Sequence, residues 1–158
     1  MADLRPPRTV GGERETLLTL LRYHRESLVR KVAGVGVREA TWSPVGSGTS
    51  LLWLVKHLTG TELSWFLRRF AGQSVPLPDP AHQEGDTIES AVAAYRDAWA
   101  RVAPIIEHGD LDEVCQDPGD GQPQCNLRWV LAHLVEETAR HAGHADIIRE
   151  LVDGATGR

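Results

Sequence analysis

Residues 126–153 read NLRWVLAHLVEETARHAGHADIIRELVD, the longest unbroken helical pattern in the chain. At about 100° per residue, His133, Glu137, His141 and His144 fall within roughly an 80° arc of that helix. Val130, Ile148 and Leu151 share the arc, and Leu127, Leu134, Ala142, Ala145 and Val152 continue it, while Arg128, Glu136, Arg140, Asp146 and Glu150 are expected to point the other way. The polar ladder therefore faces or borders the core. Inward imidazoles and carboxylates are costly unless they are paired, hydrogen-bonded or bound to a metal. The pattern points to a metal site inside a helix bundle.

Outward from this helix, three more amphipathic segments can be read. Glu13 to Ala33 carries Leu17, Leu21, His24, Leu28 and Val32 on one face and ends at Gly34 and Gly36. His24 on that line reads as a core histidine, with pocket lining as the alternative. A second helix, capped by Ser50 or Thr49, runs from Leu51 to Phe70 with Leu51, Leu54, Leu58 and Trp65 inward and His57 at the edge. Asp86-Thr87-Ile88-Glu89 opens a third helix that reaches His108, with Ile88, Val92, Tyr95, Trp99, Val102 and Ile106 as its stripe. Pro104 should kink its last turns, and His108 near its end is a favourable charge when protonated. Asn126 and Gly154 bracket the last helix.

Between the helices, Val37 to Thr49 reads as an irregular connector because of Pro44, Gly46 and Gly48. Two long loops follow, Ala71 to Gly85 with exposed His82, and Gly109 to Cys125. Met1 to Gly12 is a tail or a strap. The expected fold is all-α, a four-helix bundle with long crossover loops, forming one domain over residues 1–158.

Composition narrows the partners. The 158 residues are 41% hydrophobic and 25% charged, enough for one domain with a core. A net charge of -5 with only two lysines argues against nucleic acid. Arg in place of Lys, with frequent Ala and Gly, suggests a GC-rich bacterial genome. No apolar run approaches the ~18 residues of a membrane span, so the chain reads as soluble and cytoplasmic. Val45 to Ser50 lacks the Lys of a Walker loop. Cys115 and Cys125 fit no CxxC or zinc-ribbon spacing and read as two free thiols rather than a disulfide or a metal pair.

Glu137 and His141 lie one helical turn apart, so both aim at one point, and His57 is the natural third ligand from the second helix. Two imidazoles and one carboxylate make a three-ligand set that leaves a position for water or substrate. Spacing alone leaves other sets open, since His133 with Glu137 or His141 with His144 pair equally well.

The second-helix run Trp42-Ser43-Pro44, then Gly48-Thr49-Ser50-Leu51-Leu52-Trp53-Leu54-Val55-Lys56-His57-Leu58, then Glu62 with Trp65-Phe66, resembles the DinB-like superfamily of four-helix metalloproteins. The closing run His133-Leu134-Val135-Glu136-Glu137-Thr138-Ala139-Arg140-His141-Ala142-Gly143-His144-Ala145-Asp146 is similar to the branch linked to mycothiol. The resemblance implies His57, Glu137 and His141 as metal ligands. Glutamate replaces the first member of the commoner His-x-x-x-His pair, as in the N-terminal domain of mycothiol-dependent maleylpyruvate isomerase. His144 becomes a pocket residue and a possible proton carrier.

The same resemblance implies a divalent metal, zinc or nickel, and a low-molecular-weight thiol such as mycothiol that attacks an electrophilic small molecule. It further implies a possible homodimer, with Trp53 or Leu52 as an exposed face. The isomerase's additional C-terminal domain is not expected here, which sets maleylpyruvate isomerisation itself aside, and a thiol S-transferase is the first reading. A non-catalytic metal or small-molecule binding protein, or a metal-dependent hydrolase, is the alternative.

Overall fold

Three of the four long helices begin where a side-chain oxygen accepts an otherwise unpaired backbone N–H. Ser50 accepts from Trp53 N at 3.2 Å, Thr87 from Ser90 N at 3.1 Å and Asn126 from Trp129 N at 3.0 Å. Ser90 returns the Thr87 bond through its own hydroxyl, closing a reciprocal capping box. The computed structural model describes residues 4–119 and 121–157. The order is α1 (Glu13–Val32), α2 (Val37–Thr41), α3 (Leu51–Glu62) continued by a π-helical segment (Leu63–Phe70), α4 (Ile88–His108) and α5 (Leu127–Asp153). Among the described residues the one β-type pairing is an isolated antiparallel bridge between Val114 and Asn126. No helix among them is long and apolar enough to cross a membrane.

The long helices form a four-helix bundle in which α1 packs chiefly on α5 and α3 on α4. One apolar cluster gathers Leu18, Leu21, Phe66, Val102, Ile106, Leu127, Leu131 and Leu134. Another gathers Leu28, Val32, Leu51, Leu54, Leu58, Tyr95, Ala145 and Ile148. Between these groups, in the order of residues along the helices, come Arg25 on α1, Glu62 on α3 and Thr138 on α5, all buried. Arg25 Nε and Nη2 donate to the two Glu62 carboxylate oxygens at 2.7 and 2.6 Å. A two-pronged charged tie thus crosses the middle of an otherwise apolar interior.

The structure corrects three expectations. Val37–Thr41 is helical and buries Ala40, because the helix-breaking residues begin only at Pro44. Beyond Glu62 the second helix widens into π geometry. Apolar positions cannot reveal this, since Leu63, Phe66, Leu67 and Phe70 would be inward in either form. Leu52 is 1% exposed and packs in the core, so it offers nothing to a dimer face. The expected tail begins at Met1, and Met1 to Asp3 lie outside the described residues; Leu4 to Gly12 is irregular, with the Leu4 carbonyl accepting from the Tyr23 hydroxyl at 2.7 Å.

Both long loops are tied to the bundle beside the end of α3. The Val75 carbonyl accepts from Arg68 at 2.8 Å, and Lys56 holds Asp86 at 2.6 Å. Backbone N–H groups of Gln116 and Asp117 donate to Phe70 and Arg69 carbonyls at 3.1 and 2.9 Å. These ties bring the loops to the flank of α3 and α5 that carries the polar ladder.

Candidate metal centre

His57 on α3 and Glu137 and His141 on α5 each present a donor atom, and the three donors lie within 4.8 Å of one another. Glu137 Oε1 is the meeting point, 3.3 Å from His57 Nε2 and 3.0 Å from His141 Nε2. The other carboxylate oxygen, Oε2, accepts from Arg140 at 3.4 Å, which leaves Oε1 turned toward the imidazoles. Trp53, one turn before His57, stacks on its ring at 4.6 Å and 8° and fixes the plane of the imidazole. His57 and His141 stand edge to face at 4.8 Å. The side chains of Glu137 and His141 are 14% and 12% exposed, so the cluster is a half-buried cleft reachable from solvent.

The other members of the ladder go elsewhere. His144 is exposed, and its Nδ1 lies 3.2 Å from His141 Nδ1, on the ring edge turned away from Glu137. It borders an apolar hollow of about 310 Å³ with Pro44, Val45, Ile147 and Ile148. His133 stacks on Trp129 at 4.9 Å and meets Trp65 edge-on at 4.8 Å, so it belongs to an aromatic group one and two turns from the cluster. Leu151, expected on the same inward arc, is 59% exposed, because the arc leaves the core toward the end of α5. His24 is half-buried edge-on against Tyr23, and His82 and His108 are exposed.

The model of the mycothiol-S-transferase family matches residues 16–154, from the first turn of α1 to the glycine that ends α5. This chain belongs to the mycothiol S-transferase family. Its fold is the all-α DinB-like bundle. A conserved protein of Enterococcus faecalis, known from its crystal structure, superposes with a TM-score of 0.60 at 19% identity. That match covers 94% of this chain and all, 100%, of the other, and it speaks for the fold. No curated protein matches.

For this family member burial and neighbouring groups shift two members of the cluster, Glu137 and His141, toward their donor forms. Burial pushes the Glu137 carboxyl up, but the His57 hydrogen bond and the His141 charge outweigh it, and the net shift is downward. Burial pulls the His141 imidazole down, against the opposing pull of Glu137. A carboxylate and an unprotonated imidazole are what a divalent cation requires. Two imidazole nitrogens and one carboxylate oxygen converging on one point therefore fit a zinc or nickel ion in donor type and number.

One feature, the Arg25–Glu62 tie, was not anticipated from the sequence. Arg25 and Glu62 occupy the apolar stripes of their helices, Arg25 between Leu21 and Leu28 and Glu62 between Leu58 and Phe66. A charge of each sign on inward stripes was the available signal. Thr61, Ser64, Trp65 and Arg69 also line, with His57, a cleft of about 260 Å³ roofed by Leu77, Pro78 and Pro80 of the first long loop. The length of that loop points to a border of the site, and its course decides which residues form the wall.

Proposed function

We propose that the chain is a divalent-metal-dependent thiol S-transferase, in which a low-molecular-weight thiol of the mycothiol type attacks an electrophilic small molecule. The observation that carries this reading is the convergence of His57, Glu137 and His141 donors within 4.8 Å in a member of this family. These three side chains would hold the cation. When bound, it supplies the positive charge that turns a coordinating thiol, with an ordinary pKa of about 8.5, into a nucleophile at neutral pH.

The protein's own groups do the rest. Trp53 and Arg140 hold His57 and Glu137 in place, as the partners of metal-ligating side chains generally do. The cleft of Thr61, Ser64 and Arg69 offers hydrogen-bond partners to the body of the thiol substrate. Farther along α5, the apolar hollow of Val45, Ile147 and Ile148 suits the carbon skeleton of the electrophile. His144 stands at the edge of that hollow, and in this reading it hands a proton to the departing group. Sulfur and carbon form the new bond as an alkyl halide loses halide or an epoxide ring opens.

Elemental analysis of the protein beside His141→Ala, followed by thiol turnover with an epoxide or alkyl halide, tests the proposal. One equivalent of zinc or nickel, lost in the variant together with thioether formation, is expected. Full metal retention by His141→Ala would refute the ligand set, and a metal-loaded protein inert toward every thiol and electrophile would indicate a binding protein instead.

A further inference from the structure

Cys115 and Cys125 are ten residues apart across the loop from α4 to α5, yet their Sγ atoms lie 3.2 Å apart. Backbone pairing places them: Cys115 N–H donates to the Cys125 carbonyl at 2.9 Å, and the Val114–Asn126 bridge adjoins it. Both are free thiols, and they differ in access. Cys115 is 2% exposed within the apolar cluster, whereas Cys125 is half-buried and lines a hollow of about 500 Å³ with Trp65, Trp129, Pro123 and Asn126. Burial, with the neighbouring Cys125 adding to it, pushes the Cys115 thiol up to about 12. The two sulfurs are thus unequal, one accessible from the hollow and one held protonated behind it.

We propose that Cys115 and Cys125 form a dithiol site that exchanges with a low-molecular-weight disulfide entering the Trp65–Trp129 hollow. The Cys125 thiol gives up its proton and its sulfur attacks one sulfur of RS–SR, forming a Cys125–S–S–R mixed disulfide and expelling RS⁻, which takes up that proton as RSH. Cys115 sulfur then attacks Cys125 sulfur, the Cys115–Cys125 bond forms, and the second RS⁻ leaves, with the Cys115 proton passing to a departing thiolate. The protein pair is oxidised by two electrons and RSSR is reduced to two RSH. Excess RSH reverses the sequence. Neither sulfur belongs to the His57, Glu137 and His141 cluster, so the exchange stands independently of the transferase reading. Trp65 nevertheless walls both the Cys125 hollow and the cleft beside His57, so the pair occupies a neighbouring position along one flank of the bundle.

The full chain, reduced and then incubated with oxidised glutathione, gives the test by intact-mass measurement and thiol titration. The expected product has lost two hydrogen atoms, carries no glutathionyl group and has no titratable thiol. In Cys115→Ser the same treatment should trap one glutathionyl group on Cys125, while Cys125→Ser should remain largely unmodified. A wild-type protein that keeps both thiols, or accumulates a glutathionyl adduct without closing the internal bond, would overturn the proposal. Faster adduct formation on Cys115 in Cys125→Ser than on Cys125 in Cys115→Ser would overturn the order of attack and with it the assigned entry hollow.

Discussion

Removing one partner of the Arg25–Glu62 tie should be among the costliest single changes to stability in the chain. Glu62 is 0% exposed and Arg25 3%, and two hydrogen bonds at 2.7 and 2.6 Å join them. Glu62→Leu keeps the volume of the side chain but strands a guanidinium between two apolar clusters. Breaking a buried pair in this way costs about 3–5 kcal/mol. For a chain of 158 residues, each kcal/mol lowers the melting temperature by about 2–4 °C, so a fall of roughly 6–20 °C is expected. Arg25→Met should be comparably harmful, and it also removes the guanidinium lying 5.5 Å from the Trp99 ring centre. The Arg25→Met/Glu62→Leu double variant should recover most of the loss, because apolar groups of similar size can replace a buried pair at little cost. Thermal melts of the four proteins close a double-mutant cycle. A Glu62→Leu melt within about 2 °C of the parent, or a double variant showing the full sum of both losses, would refute the reasoning.

Leu131→Ala empties a fully buried position in the cluster beneath the aromatic group and should cost about 2–5 kcal/mol, measurable by urea unfolding. Trp53→Leu removes the ring stacked on His57 and should weaken zinc or nickel binding by about 10-fold or more, read by competition with a chelator, while circular dichroism stays unchanged. Burial holds the folded His24 imidazole below its ordinary value of 6.5, so the unfolded chain binds the proton more readily. Acidification from above 6.5 down through the folded value should therefore erode stability, and His24→Asn should flatten that part of a melting-temperature profile against pH.

What could be read in advance follows from which quantities are local. Caps act within a few residues of the helix they start, so Ser50, Thr87 and Asn126 mark their helices in the sequence. Glu137 and His141 are likewise fixed by one helical turn. Which ladder histidines remain outside is not local, because the arc of α5 can present any of them and the position of His57 on α3 decides. His133 lies one turn before Glu137 and meets Trp65 and Trp129, whereas His141 meets His57 and Trp53. The cysteine contact was hidden for the same reason, since ten residues of loop say nothing of a backbone pairing at their ends.

The charged tie and the cluster share a level of the bundle, and that coincidence gives the tie a reason. Thr138 is fully buried beside Glu137 in the chain, so the turn of α5 that turns Glu137 toward His57 sends Thr138 inward. Glu62 lies five residues after His57, and Arg25 grips it from α1. Tyr95, fully buried on α4, has its phenol pushed above the ordinary range by burial and by the Glu62 charge, so it remains a neutral hydroxyl at that level. A bundle whose midsection opens to solvent at a polar cleft loses apolar packing there, and the two apolar clusters alone could slide relative to one another. A two-pronged bond between α1 and α3 fixes their register, and α3 carries His57 toward Glu137 and His141 on α5. Damage to the tie should thus appear first as lost stability and only secondarily as misplacement of His57, the reverse of the order expected for the donors themselves.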